Sequence, residues 1–209
     1  MPPADARGPR SVPLPHGLRA LRHADYRRFA LAQLVAQVGS WMQTVAQSWL
    51  VLQLTGSPLK LGLISTLQFS PVLLFSVVTG AVADRLPKRR LLVATQSTLA
   101  GQALLLALLV ATGHVEYWHV AVLGLLLGFA NVVDQPARQS FVMEMTGKDD
   151  VGSAVALNSA SFNAARIVGP AVAGVLIGRL GVAPAFFVNC ASFFGVIVTL
   201  LRLQARGLP

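Results

Sequence analysis

The chain runs to 209 residues, 54% of them hydrophobic and 12% charged, with a formal net charge of +9. Soluble domains carry about 25% charged residues, so this composition excludes an ordinary soluble domain and points to a polytopic membrane protein. The positive charge does not mark a nucleic-acid binder, which would gather its basic residues on one soluble face. Here they fall at the ends of apolar runs.

Residues 1–20 hold Pro2, Pro3, Pro9, Pro13 and Pro15 with three arginines and no apolar core. They predict a disordered basic cytoplasmic tail, extending over 1–25, rather than a secretion signal. A transmembrane domain is expected over 26–203, with 204–209 beginning a cytoplasmic linker. Charge delimits six spans at residues 29–59, 61–83, 91–115, 117–133, 151–178 and 180–201. A helix needs about 17–25 apolar residues to cross hydrocarbon, which these runs supply. The first is long enough to include a turn, since Thr55-Gly56-Ser57-Pro58 stops one helix and caps the next.

In the first span Gln33, Gln37, Ser40, Thr44 and Gln47 recur at helical spacing and share one face. Amides facing lipid would be unsatisfied, so this face looks into protein or a water-filled cavity. Spacing does not distinguish a cavity from interhelical hydrogen bonding, nor whether Trp41 and Trp49 line or pack.

Between the second and third spans, GAVADRLPKRR (residues 80–90) puts Asp84, Arg85, Lys88, Arg89 and Arg90 between uncharged runs of 23 and 25 residues. Such a hairpin sits at a membrane surface, and its four Lys/Arg mark the cytoplasmic side. Across the chain fourteen Lys/Arg fall on that side and two, Lys60 and Arg179, on the other, which predicts both termini in the cytoplasm. At the next turn His114, Glu116 and His119 depart from the H-E-x-x-H spacing that holds zinc. With Tyr117 and Trp118 they are expected to anchor an interface, and no metal site is expected.

The stretch Asp134-Gln135-Pro136-Ala137-Arg138-Gln139 opens a segment reaching Asp150. Pro136 suits a first helical turn and Phe141, Val142 and Met145 share a side, so a short surface helix in a cytoplasmic loop is expected. In the fifth span Asn158, Ser159, Asn163 and Arg166 form a second polar strip. An arginine at helix centre costs about 2.5–3.5 kcal/mol on insertion scales, so it should face the bundle interior and mark a functional site. Gly169, Ala173, Gly174 and Gly178 would let a neighbouring helix approach, and Pro170 would bend the helix. Cys190 is a lone packing residue. Gly80-x-x-x-x-Arg85-Leu86 recurs as Gly174-x-x-x-x-Arg179-Leu180, each between the second and third span of a three-span unit. The fold class expected is therefore all-α, six transmembrane helices arranged as two inverted three-helix repeats.

Gly80, Asp84, Arg85, Lys88 and Arg89 resemble the G-x-x-x-D-R-x-G-[RK]-[RK] signature of the major facilitator superfamily, with Pro87 where the general pattern has Gly. That departure, the Pro136-Ala137-Arg138-Gln139 run after the fourth span and the Gly169-Pro170-x-x-x-Gly174 run in the fifth are similar to the branch containing macrolide and siderophore exporters. The superfamily's usual arginine within the fourth helix is missing, since residues 123–133 carry no charge. The resemblance implies the N-terminal half of such a fold in a bacterial-type inner membrane. It further implies a secondary transporter expelling drugs or siderophores, coupled to protons by analogy. The signature would form a conformational gate, and the polar faces of the first and fifth spans would line the cavity. A second six-helix half would be required. Truncation is the expectation here, with a self-pairing half-transporter or a non-transporting membrane scaffold as alternatives. With no nucleotide-binding motif, paired intramembrane carboxylates or Ser/His/Asp set, neither enzyme activity nor a cofactor is expected.

Overall fold

The computed structural model describes residues 16–203, apart from the side chains of residues 16, 77, 78 and 80–85. The expected linker at 204–209 and the first fifteen residues of the expected tail lie outside the described residues. The described residues form a 3-10 helix, His16–Arg22, followed by α1 (Ala24–Thr55), α2 (Pro58–Arg85), α3 (Lys88–Ala111), α4 (Tyr117–Leu180) and α5 (Ala183–Arg202). By length and composition α3, α4, α5 and the Pro58–Ser76 part of α2 are apolar enough to cross a membrane. Helix α1 spans 32 residues but carries Asp25, Arg27, Arg28 and a series of glutamines.

The turn expected inside the first span is present. Gly56 adopts φ 61° as the left-handed C-cap of α1, its N–H bonding the Leu52 carbonyl. Pro58 begins α2, and the Ser57 hydroxyl accepts a hydrogen bond from the Lys60 N–H at 3.4 Å. The charged hairpin is also present: α2 ends at Arg85 and Pro87 occupies the N-cap of α3.

Helix α4 corrects the expected loop at 134–150. Residues 134–146 continue the fourth span as helix, and Pro136 lies inside it rather than at a first turn. The continuation is held by tertiary bonds to Asp134, described below, which outweigh the one backbone hydrogen bond that Pro136 removes. As one rod, 64 residues would extend about 96 Å, some three times the hydrocarbon thickness. The rod is broken at Gly147, whose φ 69° and ψ 171° are open only to glycine. Two arms result, residues 117–146 and 148–180, so the described residues contain six helical segments of membrane length.

Helix α2 makes few contacts with α1 or α3, while α2 packs on α4, α3 on α4 and α5, and α1 on both α4 and α5. Each of α1, α2 and α3 thus packs on α4, α5 or both. The two sequence copies end their helices alike, Arg85 closing α2 and Arg179-Leu180 closing α4.

Close crossings depend on missing side chains. A Cβ on Gly39 would meet Asn189 Oδ1 at 2.5 Å, and one on Gly169 would meet the Trp41 Cβ at 2.5 Å and the Val38 carbonyl at 2.9 Å. Gly169 and the fully buried Ala173 therefore seat the second arm against α1, whereas Gly174 and Gly178 face open space. Only part of the expected small-residue face is used within the bundle.

Part of the expected tail is ordered. The Ala20 N–H donates to the Ser153 hydroxyl at 3.0 Å, which donates to the Gly17 carbonyl at 2.9 Å. Arg22 and His23 meet Asp150 at 2.8 and 2.9 Å, and Tyr26 donates to the Ala154 carbonyl. A carboxylate only accepts, so His23 Nε2 is the donor here. The His23 hydrogen bond, then the Arg22 charge, hold the Asp150 carboxyl below the usual carboxylate range. This clasp ties the entry of α1 to the start of the second arm just after the Gly147 break.

Replacing Gly169 by Leu is expected to overpack the α1 crossing and cost about 1–3 kcal/mol of stability. Gly174→Leu should leave the thermal transition in detergent unchanged, which provides the internal comparison.

Candidate functional site

The polar stripe of α1 divides into parts with different tasks. Gln33, Gln37 and Gln47 are buried, Ser40 is half-buried and Thr44 is exposed. The Ser40 hydroxyl donates to the Ala36 carbonyl at 2.8 Å and that of Thr44 to the Ser40 carbonyl at 3.0 Å, so both satisfy their donors within α1. Gln47 donates to the Gln68 amide oxygen of α2 at 3.2 Å. Gln37 donates to the Asn158 Oδ1 at 3.4 Å, joining α1 to the second arm of α4. The first and fifth spans therefore meet through their predicted polar residues.

Two partly open spaces follow. Ser40, Gln43, Thr44, Gln47, Gln68, Asn131 and Asn189 border a cavity of about 90 Å³ in the centre of the bundle. Nearer the α1 entry a notch of about 20 Å³ lies among Gln33, Gln37, Arg138 and Asn158, enough for about one water. The amide oxygens of Gln33 and Gln37 are buried there without a protein partner. Two unsatisfied acceptors in a polar notch favour a donor from water or from a bound molecule.

Asn163 and Arg166 stand on the exposed side of the second arm. The Arg166 guanidinium lies 5.7 Å from the Trp41 ring centre, while Phe162 meets the same ring edge-on at 5.6 Å. Gly169 permits this arrangement by letting the arm approach Trp41. Arg166 thus packs its charge on an aromatic face and keeps its donors available on the exposed face near mid-arm. Of the two indole candidates in α1, Trp41 belongs to this site and Trp49 lies exposed.

Several bundle-forming polar residues carried too little sequence signal to be singled out. Asn189 donates to Gln43 Oε1 at 2.6 Å and Gln43 to Gln102 Oε1 at 3.0 Å, a buried chain linking α5, α1 and α3. Isolated amides inside charge-free runs were the available clue, since hydrocarbon tolerates them only when paired. Asp134 is completely buried and accepts from Thr95 at 2.6 Å, Gln96 at 2.9 Å and Arg138 at 2.7 Å. It is a tertiary lock between α3 and α4, not a loop residue.

Of the signature residues, the side chains of Gly80, Asp84 and Arg85 are outside the description, and Lys88 is half-buried at the start of α3. Arg89 donates to the carbonyls of Leu200 and Leu201 at 2.6 and 2.7 Å. These belong to the last turn of α5, whose carbonyls lack helical donors, so Arg89 fastens the beginning of α3 to the end of α5. At the opposite turn Glu116 caps α4, its backbone N–H donating to His119 Nδ1 at 3.0 Å and its carboxylate accepting from Trp118 at 2.7 Å. Glu116 and His119 are therefore occupied in capping.

Asp134→Ala would strand Arg138 beside a buried gap, and is expected to cost about 3–5 kcal/mol. The double variant Asp134→Leu/Arg138→Leu should recover much of that loss in a thermal or denaturant melt.

Compared with known proteins, residues 16–207 match the family described as transmembrane secretion effector. The chain is 28% identical over 170 residues to the staphyloferrin A transporter of Staphylococcus aureus, covering 81% of this chain and 43% of that protein. It is 30% identical over 185 residues to the multidrug efflux pump Tap of Mycolicibacterium fortuitum, covering 85% and 45%. With the enterobactin exporter EntS of Citrobacter koseri it shares 24% identity over 187 residues, covering 90% and 45%. The chain thus spans under half the length of these relatives. Its apolar helices and the match over residues 16–207 place it in the transmembrane secretion effector family of the major facilitator superfamily, a multi-pass membrane protein of a transporter and not an enzyme family.

Proposed function

We propose that this chain forms one six-helix half of a secondary exporter of small molecules, drugs or siderophores among them, driven by a proton gradient. The observation that carries this reading is the exposed polar face of the second arm. Arg166, Asn163 and Asn158 stand where hydrocarbon would be most costly, with Arg166 held over Trp41 rather than neutralised by a carboxylate among the described residues. A partner six-helix unit covering that face would enclose a cavity lined by α1 and the second arm, and rocking of the two units would open it to either side in turn. The relatives named as efflux pump and exporters support the direction of transport. In this reading Gly80, Asp84, Arg85, Lys88 and Arg89 form the gate on the cytoplasmic side, where both termini also lie.

The second unit is supplied by another six-helix segment. A second copy of this chain is the alternative that the open strip at Gly174 and Gly178 favours, since small residues there would admit a close helix. A scaffold without transport would keep the same surfaces but have no use for Arg166.

Efflux of a fluorescent drug from cells containing the complete assembly should fall at least about tenfold in Arg166→Leu, consistent with loss of a charged hydrogen-bond donor. Gln37→Leu should shift the substrate range, and collapse of the pH gradient should stop export. Unchanged efflux in both variants would assign the face to packing.

A further inference from the structure

A wide surface groove lies away from the polar face. It holds about 720 Å³ between α1 and α5. Leu31 and Val35 form its α1 wall and are exposed. They lie two residues before Gln33 and Gln37, about 200° around the helix, so the groove and the polar stripe occupy opposite faces of α1. Val198 and Gly195 supply the apolar wall from α5. A unit docked over the polar stripe would leave this side toward the bilayer.

The same groove ends in two arginines. Arg28 is in the first turns of α1 and Arg202 closes α5, so both stand at one end of the bundle. Among the described residues Arg28 has only a long 3.9 Å contact with Asp25. Arg202 makes no ion pair among the described residues and is exposed. Paired cations above an apolar slot between transmembrane helices match a headgroup carrying negative charge with an acyl chain below it. Neither half of this arrangement suits a free ion, which would leave the slot empty, or an uncharged lipid, which would leave the guanidiniums uncompensated.

We propose that the α1/α5 groove binds one anionic phospholipid, with the headgroup phosphate between Arg28 and Arg202 and an acyl chain along Leu31, Val35 and Val198. Bound there, the lipid bridges the entry of α1 to the exit of α5, next to the Arg89 contacts with the last α5 carbonyls.

The test is native mass spectrometry of the purified chain released from nanodiscs containing equal palmitoyl-oleoyl phosphatidylglycerol and phosphatidylcholine. One phosphatidylglycerol should be retained in preference to phosphatidylcholine. The Arg28→Gln/Arg202→Gln variant should lose about thirtyfold in apparent affinity, as expected for two surface arginines. Gly195→Leu fills the slot and leaves both charges. A Cβ at Gly195 meets nothing within 4 Å, so folding should survive. This variant should lose the retained lipid as well, with its melt confirming a native fold. Equal retention of the two lipids, undiminished phosphatidylglycerol binding in the charge variant, or displacement by millimolar inorganic phosphate would each overturn the proposal.

Discussion

Hydrocarbon offers no hydrogen bonds, and that single constraint organises this bundle. Four glutamines of α1, at 33, 37, 43 and 47, are more than nine-tenths buried and must find partners or water inside the protein. Gln43 and Gln47 find them, bonding to α3, α5 and α2 and thereby fixing how α1 sits among its neighbours. Gln33 and Gln37 keep acceptors unsatisfied beside the notch at Arg138 and Asn158. One helix thus carries both the glue of the bundle and the beginning of its polar interior. The separation follows position along the helix, with the unsatisfied amides nearer the α1 entry.

Charge is handled in the same way. Asp134 is compensated by three donors and Asp150 by two basic side chains, so both described interior carboxylates are consumed in holding helices together. Asp134 locks α3 to α4, and Asp150 clasps the α1 entry to the second arm. Arg166 is the contrast, stacked on an indole and otherwise available on an open face. A buried pair gives geometry, while an uncompensated arginine near the middle of a membrane segment is retained at a cost.

Much of this was legible in the residues. Clustered charge between long apolar runs located the α2–α3 hairpin, and Thr55-Gly56-Ser57-Pro58 located the α1–α2 turn, because both signals are local. The course through Pro136 was not legible, because a proline and nearby charges mark a loop unless a distant helix satisfies Asp134, and Thr95 and Gln96 lie about forty residues away. The docked segment at residues 16–22 was hidden for a similar reason: its partners Asp150 and Ser153 are remote in sequence. In the stripe itself, periodicity grouped Gln33 to Gln47 on one face but passed over Gln43, which bonds to α3 and α5. Gly174 shared the small-residue signal with Gly169, and only the position of α1 shows which of them is used.

In the proposed exporter half the polar face of α1 and the second arm meets water, while the Leu31 and Val35 face meets lipid. Cysteine introduced singly at Asn163 or Val35, with Cys190 changed to Ala, and exposed to a charged, membrane-impermeant thiol reagent in inside-out vesicles tests it most directly. Rapid labelling at Asn163 and none at Val35 is the predicted result. Labelling at Val35 with protection at Asn163 would contradict the account, placing lipid against the polar strip and water on the outer groove.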